Sequence, residues 1–168
     1  MLPGGIVTNG AAALAESQGK KVSIEFDEAR DFSDYNSFAL VAGTLNSKNP
    51  SLNNELVKKK IDEEIRRRLT ERGLTEVASQ PDLNVRYSLG SGRHVEEDAY
   101  PAGWRGYGTR VVRRHYTEGT LILDLRDARK HELVWRAIAV EDNPDPLKIK
   151  DHLADMVRKS VEKFPPKK

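Results

Sequence analysis

The sequence predicts an α+β domain: a mostly antiparallel sheet of about five strands with two long helices packed on one face, in the order β-β-α-β-β-β-α. Three observations carry this. Two segments repeat apolar residues every three to four positions, and five others read as strands bounded by turn-forming residues. In the second half of the chain the strands follow one another without intervening helices, which favours antiparallel pairing. A chain of 168 residues has the common size of one domain and can bury its own core without an obligate partner. A single domain over residues 21–166 and a monomer are therefore expected, with 1–20 as a leader and 167–168 as a tail.

The first strand is Lys21 to Asp27, where Val22, Ile24 and Phe26 alternate with Ser23, Glu25 and Asp27. A turn-rich stretch, Asp31 to Asn36, leads to a short strand from Ser37 to Ala42 built on Phe38, Leu40 and Val41. Ser51 is placed to cap a long helix whose stripe is Leu52, Leu56, Val57, Ile61, Ile65 and Leu69, and Gly73 closes it with Leu74 behind. Its other face sets Lys58-Lys59-Lys60 and Arg66-Arg67-Arg68 one turn from Asp62-Glu63-Glu64, a self-neutralising pattern.

Leu83, Val85, Tyr87 and Leu89 make a third strand. The stretch from Gly90 to Gly108 has no period. Thr109 to Arg126 reads as one strand or two, with Leu121, Leu123 and Leu125 on one side. The turn Asp127 to Lys130 leads into Glu132 to Glu141, where Leu133, Trp135, Ala137 and Ala139 share a face, so these runs form a hairpin. Asp145-Pro146 starts the second helix, striped by Ile149, Leu153, Met156, Val157, Val161 and Phe164 and stopped by Pro165-Pro166.

Composition narrows the function classes. The chain is 38% hydrophobic and 32% charged, but 28 Lys plus Arg against 26 Asp plus Glu leave only +2. No large single-sign field for nucleic acid or an acidic membrane is indicated. Nucleic-acid binding through Arg110 to His115 is disfavoured for that reason. The absence of cysteine excludes a disulfide scaffold and fits a cytosolic or a periplasmic protein. No stretch approaches the roughly 18 apolar residues that cross a bilayer, so a soluble chain is expected. Ala13-Leu14-Ala15 before a polar run resembles a signal-peptidase site, which makes residues 1–20 the remnant of an export signal; a leader without targeting role is the alternative.

Several ordered landmarks resemble a bacterial envelope family called domain of unknown function 4136. They are Asp31-Phe32-Ser33-x-Tyr35, Pro81-Asp82-Leu83-x-Val85-x-Tyr87, Tyr116-x-Glu118-Gly119-Thr120-Leu121-x-Leu123-Asp124, Leu133-Val134-Trp135-Arg136-x-Ile138-Ala139 and Phe164-Pro165-Pro166. The resemblance implies an exported protein, periplasmic or envelope-associated, from a family that includes lipoproteins. It implies no activity, cofactor or catalytic residue. This chain has no cysteine to carry a lipid, which favours a periplasmic location over an anchored one.

No catalytic motif is present, and no cofactor or metal is expected. His94, His115, His131 and His152 have no metal-ligand spacing, and His94 beside Glu96-Glu97-Asp98 reads as loop charge. Asp124 reads as one half of a cross-strand ion pair with Arg126 or Arg136. What stands out is the segment from Gly90 to Gly108, which holds five of the 12 glycines together with Tyr100, Trp104 and Tyr107. A long aperiodic connection is commonly functional or disordered, and aromatic residues need burial or a partner. Arg93, Tyr100, Trp104, Arg105 and Tyr107 are the candidate binding residues, and an extended hairpin lying on the sheet's edge or open face is the alternative. The expectation is a non-enzymatic envelope binding or scaffold domain that holds a partner protein or small ligand. The other reading is a hydrolase-type enzyme with Glu96, Asp98, Glu118 and Asp124 converging.

Overall fold

The computed structural model describes residues 20–90, 92–104 and 107–166, with backbone only for 20, 92–104 and 107–115. Strands β1 (Lys20–Phe26), β2 (Ser37–Leu45), β3 (Thr75–Glu76), β4 (Leu83–Leu89), β7 (Thr120–Asp127) and β8 (Glu132–Glu141) form one sheet in the order β1-β8-β7-β4-β2-β3. β5 (Gly92–Trp104) and β6 (Tyr107–Tyr116) form a separate two-stranded ribbon. Helices α1 (Glu55–Glu71) and α2 (Pro146–Val161) pack on each other and on the sheet.

The sheet is mixed, where the sequence suggests a mostly antiparallel one of about five strands. β1, β8, β7 and β4 are antiparallel neighbours, but β2 runs parallel to both β4 and β3. The reason is α1, which connects β2 to the strands that follow and acts as the crossover a parallel pair requires. Strand alternation alone does not reveal it.

Register makes one face of the sheet the core. Three rows cross it: Val22, Ala139, Leu121, Leu89 and Leu45; Ile24, Ala137, Leu123, Tyr87 and Gly43; Phe26, Trp135, Leu125, Val85 and Leu40. The helices supply Val57, Ile61, Ile65 and Leu69 from α1, and Ile149, Leu153, Met156 and Val157 from α2, all buried. Each such side chain contributes about 1.5–3 kcal/mol on burial. A register shift after Leu125 places Leu133 opposite Arg126, so it leaves the Trp135 face on which alternation places it, and Val134 joins the core instead.

The caps differ at one end of α1. Asn54, not Ser51, is the N-cap, accepting from the Val57 N–H at 2.9 Å. Leu52 is buried in the turn ahead of the helix, whereas Leu56 is 78% exposed. The C-terminal end is as expected: the Leu74 N–H reaches the Leu69 carbonyl and the Gly73 N–H the Thr70 carbonyl, a Schellman arrangement with Leu74 buried behind it. On α2, Asp145 accepts from the Leu147 N–H, with Pro146 in the first turn.

An aromatic cluster closes one end of the core. Phe164 stands edge-on to Trp135 at 5.6 Å and to Phe32 at 5.7 Å, and Phe32 continues to Phe26 and Tyr35. The Arg72 guanidinium donates to the Phe164 carbonyl at 2.6 Å, which ties the end of the chain to the end of α1.

The aperiodic segment is the ribbon. β4 pairs directly with β7 as far as Leu89 and Leu121, and β5 and β6 resume pairing at Gly92 and Tyr116, so the ribbon is inserted into that hairpin. β5 lies against β8. Both edges of β8 are occupied by β1 and β7, so β5 meets its face. The ribbon must therefore bend sharply where it leaves the sheet. Gly90 sits there with φ of 126°, its N–H bonded to the Thr120 carbonyl; a Cβ on it would stand 2.8 Å from the Ser47 nitrogen, and one on Gly119 would stand 2.4 Å from the Glu141 carbonyl. Gly90→Ala is expected to cost at least about 2 kcal/mol through backbone strain plus this clash, read as a lower urea midpoint. A change under about 0.5 kcal/mol would remove the constraint assigned to this bend.

Candidate functional site

The densest polar cluster lies at the sheet end where β1 and β7 stop and β2 and β4 begin. The 3-10 turn Phe32–Asp34, capped by Asp31, carries Tyr35 inward, and its hydroxyl donates to Asp127 Oδ2 at 2.9 Å. Asp127 Oδ1 accepts from the backbone N–H groups of Arg129 and Lys130, which folds the β7–β8 turn around it. Arg30 bonds Glu132 at 3.0 Å and lies 3.4 Å from Asp27 and 3.7 Å from Asp127. Asp82 Oδ2 accepts from the Asn36 and Ser37 N–H groups, and Ser37 Oγ accepts from the Asp82 N–H in return. This pair clamps the starts of the parallel strands β2 and β4.

Electrostatics follow from this geometry. Burial works against the Asp127 charge, but the Lys130 N–H, the Tyr35 hydroxyl, the Arg129 N–H and Arg30 outweigh it and hold the carboxyl below its ordinary value. Burial, reinforced by the bond to Asp127, pushes the Tyr35 phenol above its ordinary value. Burial also opposes the charge on Arg30, yet Tyr35, Glu132, Asp27 and Asp127 around it keep its pKa raised.

A cleft of about 210 Å³ opens between Arg30, Tyr35, Asp127 and Lys130, with a shallower one of about 490 Å³ beside Asp31 and Glu132. Both are lined mainly by charged residues, whereas ligand pockets are mostly apolar. Within the first, Arg30, Tyr35 and Asp127 are engaged with one another, and Arg129 lies 3.9 Å from Asp82. The cluster works as a clasp that fixes strand ends, and the motif Asp31-Phe32-Ser33-x-Tyr35 with Pro81-Asp82 is what marks it in the sequence.

The other predicted residues separate. Asp124 takes Arg136 bidentately at 2.6 and 2.8 Å, the cross-strand pair expected, in a row that runs Glu25, Arg136, Asp124 and Arg86 across the second face. Arg136 is only 3% exposed. Glu118 lies beyond the far end of β7 and accepts from the Ser47 hydroxyl. Glu118 and Asp124 thus serve different partners. His152 bonds Glu141, which is buried at the end of β8. Among the described residues no group of three or more His, Asp or Glu is arranged to hold a metal.

The side chains of Arg93, His94, Glu96, Asp98, Tyr100, Trp104, Tyr107 and Arg110 to His115, and Arg105 altogether, lie outside the described residues. Their backbone positions are informative. Register pairs Trp104 with Tyr107 at the ribbon's far end, and Tyr100 to Gly103 form a shift in pairing just before it. Aperiodicity in the sequence therefore marks a ribbon interrupted by an irregular stretch.

The family model described as a domain of unknown function, DUF4136, matches residues 22–166. No curated protein matches the chain significantly. Among solved structures it is similar to a PDZ domain protein from Parabacteroides distasonis, at 14% identity and TM-score 0.52 over 90% of this chain and 38% of that one. It is similar also to the PelC dodecamer from Paraburkholderia phytofirmans, at 13% identity and TM-score 0.47 over 89% and 99% of the two chains. A minor lipoprotein from Acinetobacter baumannii matches at 13% identity and TM-score 0.33 over 78% and 90%. The first likeness is one of fold, and the chain spans 38% of that protein's length. No helix among the described residues is long and apolar enough to cross a membrane.

The clasp predicts a pH signature. Asp127→Asn is expected to cost about 2 kcal/mol at neutral pH, and Tyr35→Phe about 1 kcal/mol. Because the folded-state pKa of Asp127 is depressed, its contribution is present above the unfolded value near 3.9 and is lost as pH falls through the folded one. Asp127→Asn should therefore flatten the acid limb of a stability profile. Tyr35 is shifted upward, so Tyr35→Phe should lessen the loss of stability above about pH 10. Unchanged limbs in both variants would remove the clasp.

Proposed function

The chain belongs to the DUF4136 family, and on that premise we propose that it is a non-enzymatic binding or scaffold domain of the bacterial periplasm or envelope whose contact element is the β5–β6 ribbon. One observation carries the reading: the ribbon is an insertion into an already closed β4–β7 hairpin. The six-stranded sheet is complete without it, so strands of 13 and 10 residues are kept for something other than the core. Concentrated at its far end are Tyr100, Trp104 and Tyr107, residue types that anchor protein interfaces through large rigid faces, with Arg105 between them.

Support also comes from where the other chemistry goes. Asp127, Asp124, Glu118 and Glu141 each hold a neighbouring strand, turn or helix in place. The sheet's second face is a poorer candidate for the contact surface, because Ile122, Leu133 and Arg136 on it are buried. Location in the envelope rests on the family resemblance.

The double variant Trp104→Ala and Tyr107→Ala should keep the parent's helical signal and melt cooperatively near the parent temperature. It should lose capture of envelope components in a pull-down at least about tenfold, the scale of one interface anchor. Capture at the parent level by a folded variant would reject the ribbon as the contact element.

A further inference from the structure

β2 is paired along its whole length with β4 on one side, but on the other side β3 accompanies it only at Ser37 and Phe38. The last backbone bond on that side is from the Val77 N–H to the Phe38 carbonyl. From Leu40 to Leu45 no strand among the described residues covers it. The Asn46 N–H is bonded inward to the Leu89 carbonyl, so alternation turns the peptide groups of Leu45 and Gly43 outward. Val41, the extra residue of a bulge between Leu40 and Ala42, is 48% exposed.

Monomeric proteins protect an open edge with charge, proline, bulges or a covering element, and of these β2 has only its bulge at Val41. The edge strand at the opposite side of the sheet uses charge, with Lys21 and Glu25. β2 reads Ser-Phe-Ala-Leu-Val-Ala-Gly-Thr-Leu and has no charge at all. An uncharged edge repels nothing of its own kind. The open slot also has the length of the segment that would fill it, since it is bounded by β3 beside Phe38 and by the turn that begins at Asn46. One strand paired antiparallel with its own copy is self-complementary about a two-fold axis.

We propose that Val41 to Leu45 of β2 pairs antiparallel with the same segment of a second copy, joining two six-stranded sheets into one continuous sheet. This departs from the monomer expected from chain size, and it is independent of the ribbon reading. Gly43 lies near the two-fold axis, and Ala42 of each copy then lies across from Thr44 of the other.

The chain has no cysteine, so single introduced thiols report cleanly. Directly opposed and diagonal positions of an antiparallel pair bring Cβ atoms to about 4.5–8 Å. The full-length double variant Ala42→Cys with Thr44→Cys should form a disulfide-linked dimer under mild oxidation, and Lys130→Cys, in the exposed β7–β8 turn, should not. In sedimentation equilibrium the parent should show twice the chain mass at high micromolar concentration. Val41→Lys with Thr44→Lys should return it to single mass while its melting temperature is kept. Three results would overturn the proposal: a parent at single mass throughout the concentration series, a dimer untouched by the two lysines, or an open-ended series of masses, which would mean β2 pairing with the other edge of the next copy.

Discussion

The antiparallel register between β4 and β7 is the constraint from which the rest of the molecule follows. Pairing Leu89 with Leu121 and Leu83 with Asp127 decides which side chains of both strands face the helices. It also brings Asp127 and Asp82 to the same end, where they gather Tyr35, Arg30 and the starts of β2 and β4. And because the hairpin is closed by that pairing, the chain between the two strands has to leave the sheet. A slip of one residue would turn Leu121, Leu123 and Leu125 out of the core and separate both aspartates from their partners.

Charge plays two separate parts in this frame. On α1 the pairs are local and exposed, Lys58 with Asp62 and Arg68 with Glu71, worth about 0.3–0.5 kcal/mol each. The helical register is not followed throughout: Arg66 bonds Glu76, and Asp62 accepts instead from the Tyr87 hydroxyl, whose pKa burial and that bond push upward. Glu64, nearly buried, takes Arg67 and Arg68. On the sheet the charges are long-range in sequence and sheltered, as in Arg136 with Asp124 and Arg30 with Glu132. These hold strands in register, and removing Arg136 alone would leave Asp124 uncompensated beside a covered face.

Much of this was legible in the residues. Alternation located β1, β4 and β8 to within a residue or two, whereas the run from Thr109 to Arg126 hid the break between β6, which ends at Tyr116, and β7, which starts at Thr120. The predicted stripe of α2 holds because Ile149, Leu153, Met156, Val157 and Val161 are all buried, and Phe164 is buried just past the helix end. The parallel pairing of β2 was not legible, since the direction of a strand depends on the crossover and not on its own pattern. Nor was the exchange of Leu133 for Val134, which comes from a register shift against β7. The ribbon hid behind glycines and the irregular stretch from Tyr100 to Gly103, which erase a period of two. The clasp was present as the motif around Asp31 and Tyr35, but its partner Asp127 lies 92 positions from Tyr35, and no local spacing links them.

In the proposed reading the inserted ribbon, and not the charged end of the sheet, meets a partner. Site-specific photocrosslinking in the full chain separates the two. A benzophenone side chain replacing Trp104 should give a discrete adduct in envelope extract, whereas one replacing Arg129, which is 86% exposed beside the end cleft, should give none. An adduct from the Arg129 position with none from the Trp104 position would put the contact at the charged end and remove the ribbon from it.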